Sequence, residues 1–160
     1  MSALSTAIVV MMTNQQKFMA LALEQAAAAY TKNEVPVGAI IVYEGEVIAK
    51  AHNLVETLNL PFAHAEFLVI QKACQSLNSK FLNDCDLYVT LEPCPMCAQL
   101  ISFARIKRLY FGAYDPKGGG VDNGARVLNA ASCHHRPEVY GGIAEMESKK
   151  LLLNFFKEKR

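Results

Sequence analysis

Cys94-Pro95-Met96-Cys97 is the stretch of the sequence best suited to chemistry. Two cysteines spaced this way at the start of a helix bring their sulfurs to one point, and the positive end of the helix dipole favours the thiolate form. Such a pair fits zinc, a thioredoxin-like redox couple or two core cysteines, and the intervening Pro-Met does not decide. His64-Ala65-Glu66, which follows Pro61-Phe62-Ala63 and opens a helix, is the second element. A lone histidine there is usually packed or solvated. Joined to Cys94 and Cys97, His64 completes a Cys2His set whose fourth tetrahedral position stays open, as in catalytic zinc sites and unlike closed structural ones. Zinc in such a site lowers the pKa of its water to about 7. Two thiolates cancel the charge of the ion, so a nearby base would help to take the proton, and Glu66 is the candidate. Residues two apart on a regular helix diverge, which argues against His64 and Glu66 gripping the same ion. Spacing says no more about Glu66.

These residues need a scaffold, and the sequence supplies one. Thr13 and Asn14 are cap candidates for a first helix reaching residue 31, with Phe18, Leu21, Ala22, Gln25, Ala28 and Ala29 at helical spacing. Val37–Tyr43 and Glu46–Ala51 are β-rich runs around Glu44-Gly45, a hairpin signal. A loop with Asn53, Asn59 and Pro61 leads to a helix over about His64–Leu77. Asp86–Leu91 reads as a buried strand stopped by Glu92-Pro93. Cys97–Ala104 continues as a helix out of the cysteine turn, with Pro95 at an early position that suits it. Arg108–Gly112 is a fourth strand, Ala113–Ala125 a glycine-rich loop, Glu138–Gly142 a short strand and Ala144–Lys157 an amphipathic closing helix. Helices interleaved with strands imply an α/β layered domain, and the hairpin makes the sheet mixed.

At 160 residues, about half of them apolar, the chain has the size of one domain able to bury a core. The net charge of +1 gives no global attraction to polyanions, so any nucleic-acid contact must come from a local patch. Five cysteines with no secretion signal indicate a reducing compartment and a cytoplasmic protein. Residues 1–12 read as an N-terminal extension, with Met11 or Met12 as alternative starts, ahead of a single domain over 13–160. The apolar run Ala7–Met12 is too short to span a bilayer and no basic residue precedes it.

His64-x-Glu66 followed by Pro93-Cys94-x-x-Cys97 resembles the signature of the zinc-dependent nucleoside and nucleobase deaminases. The two halves are independent and stand in the right order. By that resemblance His64, Cys94 and Cys97 bind one zinc ion per subunit, and Glu66 shuttles protons between water, ring and departing amine. Within this superfamily the chain is similar to the bacterial tRNA-specific adenosine deaminases, through Val35-Pro36-Val37-Gly38-Ala39-Ile40, Asn53, Ala63-His64-Ala65-Glu66, Tyr88–Cys94, Phe111-Gly112-Ala113 and the closing Leu151–Phe156. The similarity runs from about residue 14 to the end. It implies a three-layer α/β/α cytidine-deaminase-like fold with a mixed sheet of about five strands, a homodimer, and conversion of the wobble adenosine of an arginine tRNA to inosine. It also implies substrate contacts from Asn53, the backbone of Ala65, Asp115, His135, Arg136 and Phe156; His135 and Arg136 would meet the backbone of the tRNA anticodon stem-loop, and Phe155 and Phe156 divide, one towards the core and one towards the substrate or dimer surface. The chain departs from the family at Phe62, where threonine is common, at the glycine-rich Asp115–Gly120 loop, and in a short basic tail.

Plainer readings stand beside these. Asn53 could be a turn residue bonding its own backbone. The glycine loop could be only a connector; lacking the Lys-Ser/Thr of a P-loop, it is not a triphosphate site. His134, His135 and Arg136 could simply be side chains solvated at the surface. Lys149, Lys150, Lys157, Lys159 and Arg160 are equally a solvated helix face or a source of salt-sensitive phosphate contacts. Cys74, Cys85 and Cys133 read as small buried hydrophobes. The rival functions are a free nucleobase or nucleotide deaminase acting on guanine, cytosine or deoxycytidylate, a zinc-stabilised interaction protein, and a redox C-x-x-C protein. No membrane association is expected.

Overall fold

The computed structural model describes residues 12–160, so the reading of residues 1–12 as an extension falls almost wholly outside the described residues. Five strands form one sheet in the order β2-β1-β3-β4-β5, comprising β1 (Gly38–Tyr43), β2 (Glu46–His52), β3 (Cys85–Leu91), β4 (Arg108–Ala113) and β5 (Glu138–Tyr140). β1 runs antiparallel to β2 and β3, while β3, β4 and β5 are mutually parallel. The sheet is therefore mixed, as the hairpin requires. That hairpin turns through Glu44 and Gly45, both at positive φ (50° and 77°), which a glycine at the second position permits at little cost.

The period-2 alternation of β1 explains the layers. Ala39 and Ile41 face one side and pack with Val69, Ala98 and Ile101, from α3 (Ala65–Leu77) and α4 (Pro95–Phe103). Ile40 and Val42 face the other, against Met19 and Ala22 of α1 (Asn14–Thr31). The last helix, α5 (Glu145–Glu158), lies beside α1 on that second face, burying Phe155 against Tyr30. The result is the expected three-layer α/β/α sandwich, with β1 buried on both sides. α1 starts where its local chemistry predicts. The Thr13 hydroxyl accepts from the Gln16 amide at 3.2 Å and Gln16 returns the bond at 2.9 Å, a closed capping box.

One stretch read as loop contains an element. Val55–Leu58 forms α2, a single helical turn between Asn53 and the His64 segment. One turn is too short to signal itself through periodicity, and its N-cap, Leu54, has no side-chain acceptor, so neither usual cue was available. The Gly-rich connection after β4 also contains a short 3-10 turn, Val127–Asn129.

Candidate active site

The site forms where the parallel strands β3 and β4 end and the helices begin, the position at which open α/β sheets collect ligands. β3 leads through Leu91-Glu92-Pro93 into α4, with Cys94 as N-cap and Pro95 in the first turn, where its missing N–H costs nothing. On the same face of the sheet α3 starts from His64 as its N-cap. Two helix N-termini thus converge on one point. The His64 Nδ1 lies 3.6 Å from Cys94 Sγ and 3.5 Å from Cys97 Sγ, and all three donor atoms fall within 4.8 Å of one another.

That spacing is a test of fit. Tetrahedral bonds of about 2.3 Å to sulfur and about 2.0–2.1 Å to nitrogen place N and S roughly 3.6 Å apart. The observed separations match, so one zinc ion fits His64, Cys94 and Cys97. In the metal-free chain the three donors share protons. The Cys97 thiol and His64 hydrogen-bond to Cys94 and bring it down to about 4, whereas Cys97, beside that thiolate and deeply buried, is pushed up. His64 is raised through its bond to Cys94. A metal ion replaces such shared protons.

Glu66, in the first turn of α3, is 4 % exposed, and burial pushes its carboxyl up to about 7. Its Oε2 accepts from Cys97 Sγ at 3.7 Å. A cavity of about 370 Å³ opens over this cluster, touching His64, Glu66 and Cys94 as well as Asn53, Ala65 and Asp115. Asn53 is buried, and its side-chain oxygen has no hydrogen-bond partner. An orphaned acceptor in a cavity wall is costly unless a ligand satisfies it, which sets Asn53 apart from a self-bonded turn residue.

Not every predicted contact is brought to this cavity. Phe156 is about half exposed and lines an adjoining surface depression that shares Val35, Leu91, Asp115 and Gly118 with the cavity, while its neighbour Phe155 is buried. His135 lies in a separate depression with Phe81, Ser102 and Phe103, its Nε2 2.7 Å from the Ile106 carbonyl; Arg136 is exposed beside it. Of the remaining cysteines, Cys85 and Cys133 are buried and Cys74 is half-buried.

Sequence reasoning missed two buried cavity-lining carboxylates. In the sequence Glu92 reads only as part of a strand stop. It is 1 % exposed and accepts five N–H groups: Asp115 N (3.0 Å) and Asn123 Nδ2 (2.7 Å) at Oε1, and Val121 N (3.2 Å), Asp122 N (3.0 Å) and Asn123 N (3.0 Å) at Oε2. These bonds hold its carboxyl below the usual carboxylate range. The glycine-rich loop is therefore wrapped around a buried anion. Gly120 is part of that wrapping, since a Cβ there would stand 2.5 Å from backbone atoms of Pro95. Glu34, fully buried within the α1–β1 connection, accepts from the Glu56 and Thr57 amides at 2.9 Å each. The available signal was a glutamate set directly against apolar residues that the fold buries.

The chain resembles known proteins in sequence and fold. The cytidine and deoxycytidylate deaminase zinc-binding region matches residues 12–113. The tRNA-specific adenosine deaminase of Agrobacterium fabrum is 53 % identical over 149 residues, covering 93 % of this chain and 98 % of that protein. A solved structure from work on A-to-I editing by tRNA:A34 deaminases at the wobble position of transfer RNA superposes with a TM-score of 0.84 at 54 % identity, covering 85 % of this chain and 99 % of that one. The guanine deaminase of Bacillus subtilis is more distant, with a TM-score of 0.61 and 40 % identity over 64 % of this chain and 66 % of its own. The chain belongs to the tRNA-specific adenosine deaminases, within the zinc-binding cytidine and deoxycytidylate deaminase family.

Proposed function

We propose that this protein is a zinc-dependent hydrolase that converts the wobble adenosine of a tRNA anticodon loop to inosine. One observation carries the chemistry: a buried carboxyl, Glu66, stands against a three-donor metal site in the floor of a cavity whose wall holds an unpartnered acceptor. The family relationship, at 53 % identity to a tRNA-specific adenosine deaminase over nearly the whole chain, supports the substrate.

A zinc ion held by His64, Cys94 and Cys97 supplies Lewis-acid activation of water at neutral pH. Glu66 does the proton work. Poised near neutrality by burial, it takes one proton from the attacking water and places it on purine N1, then takes that water's second proton from the new C6 hydroxyl and delivers it to the amine, which leaves as ammonia as the C6 carbonyl forms. Asn53 offers its free oxygen to a donor on the flipped nucleoside, and the first-turn backbone of Ala65 faces the base. Asp115 borders the cavity, and Phe156 flanks it on the adjoining surface, where a neighbouring nucleotide of the loop would lie. His135 and Arg136 contact the RNA backbone outside the cavity. Anticodon-loop bases are already partly unstacked, which limits the cost of flipping.

The protein acts as a homodimer in the cytoplasm, and an arginine tRNA is the expected substrate. The outer face of α4 supports the dimer: Met96 and Phe103 are exposed two turns apart, with partly buried Leu100 between them. No helix among the described residues is long and apolar enough to cross a membrane. The function is tested by incubating the zinc-loaded protein with an anticodon stem-loop carrying adenosine at the wobble position, beside free adenosine, cytidine and guanine. Inosine should form in the RNA alone; turnover of a free base or nucleoside with the RNA untouched would move the protein to a metabolic role.

A further inference from the structure

We infer that Glu34 is a positioning residue of the deaminase site, fixing Asn53 by capping α2 from across the fold. α2 is one turn long and starts from Leu54, which has no side chain able to accept its free amides. A single turn does not hold by itself, because nucleation fixes several residues for few hydrogen bonds. The second and third residues of the helix, Glu56 and Thr57, are the ones an N-cap side chain normally bonds. Here both amides go to Glu34 instead, 22 and 23 residues distant in sequence, one to each carboxylate oxygen at 2.9 Å. The negative charge also suits the positive end of the helix turn.

The arrangement costs more than a local cap would. A serine or aspartate at position 54 could serve α2 from solvent, whereas Glu34 is wholly buried and makes no ion pair with Lys or Arg; the one such pair among the described residues joins Arg108 and Asp86. What the remote cap adds is a tie between two walls of the cavity. Glu34 precedes Val35 and Val37, which line the cavity on the β1 side. The Val37 carbonyl accepts from the Asn53 amide at 3.0 Å, and Leu54 N reaches the Ala63 carbonyl at 3.0 Å. Asn53 is thus held between the strand on one side and the capped turn on the other. That pair of anchors sets where the Asn53 side chain, which lines the cavity and keeps an unpartnered oxygen, stands. Glu34 borders the cavity with its carboxylate turned to the two amides, and its part here is to position Asn53.

This inference rests on the reading of Asn53 as a substrate contact, and the test separates the two. In the zinc-loaded enzyme Glu34→Gln keeps the shape but points an amide N–H₂ at one of the two backbone donors. We expect kcat/KM on the wobble-adenosine stem-loop to fall about tenfold or more with zinc content unchanged, and amide exchange at Glu56 and Thr57, followed by NMR, to quicken. Glu34→Asp, which keeps the charge on a shorter stem, should recover part of both. In an Asn53→Ala background the added cost of Glu34→Gln should shrink below about threefold, because the residue it positions is gone. Should Glu34→Gln fail to fold, Glu34→Asp carries the same cycle. Costs that multiply in the double variant, or a Glu34→Gln enzyme with normal kcat/KM, would overturn the inference. A wild-type protein that protects the 56 and 57 amides yet makes no inosine would count against the functional reading instead.

Discussion

Replacing Glu92 by Gln preserves volume and removes one charge from the centre of the glycine-rich loop. Its carboxylate takes two donors on one oxygen and three on the other, and an amide can accept on one side only. The cheaper orientation turns the N–H₂ toward the two-donor side. There the Asn123 side chain can rotate to present its own oxygen, leaving the Asp115 amide facing a donor. One buried donor without a partner costs about 1–3 kcal/mol, and three bonds on the other side fall from charge-assisted to neutral. Relief from burying a charge returns part of this, so the net loss is about 2–4 kcal/mol. For a domain of this size each kcal/mol is about 2–4 °C, which puts the fall in Tm at roughly 5–15 °C. Thermal unfolding of the zinc-loaded variant measures it, with metal content expected to stay at wild-type level because none of the three donors moves. The difference between wild type and variant should also narrow in acid. The folded carboxyl sits below its unfolded value of about 4.3, so its contribution is complete above that value and fades as pH falls through the lower, folded one. A Tm within about 1 °C of wild type would refute the view that this anion organises the loop.

Other consequences follow from the same geometry. Asn53→Ala removes a buried acceptor that has no partner, so unfolding should show unchanged or slightly raised stability while kcat/KM on the stem-loop falls at least about tenfold. Gly120→Ala drives a methyl group into the Pro95 backbone, and chemical denaturation should register a loss of about 3 kcal/mol or more; a neutral result would mean the loop is not packed as described. In the metal-free chain Glu66 binds its proton more tightly folded than unfolded, so its own contribution to stability should decline as pH rises from roughly 4 to 7, against the opposite slope that the depressed Cys94 thiol gives over the same range. A metal-free Glu66→Gln protein should lack that decline, and an equal slope in both would remove Glu66 as its source. His64→Ala should lose the metal, which elemental analysis reports directly.

Local chemistry made much of this legible before the fold was known. The Thr13 cap candidate, the Glu44-Gly45 hairpin and the β-rich run of β1 are each written within a few residues, and the elements form where those cues place them. The metal donors were legible for a different reason, since few residue types bind zinc and their separation in sequence is characteristic. α2, Glu34 and Glu92 were not, because each depends on partners more than twenty residues away. A charged residue ordinarily signals surface, and only the three-dimensional arrangement of backbone amides makes burial of these two possible. The glycine loop was open to a bland reading for the same reason: its close approach to Pro95 and its wrap around Glu92 are tertiary facts.

The central claim is that the His64, Cys94 and Cys97 site, with Glu66 as proton carrier, hydrolyses a wobble adenosine. Its most direct test is a single-turnover reaction in water enriched in oxygen-18, using the zinc-loaded wild type and a Glu66→Gln variant of equal zinc content on an anticodon stem-loop, read by nucleoside mass spectrometry. Inosine carrying one heavy oxygen, confined to the wobble position, is expected from the wild type, and a rate lower by a factor of about 100–10,000 from the variant. Equal rates in the two proteins, or RNA left intact by a wild-type enzyme that consumes free guanine, would contradict that claim.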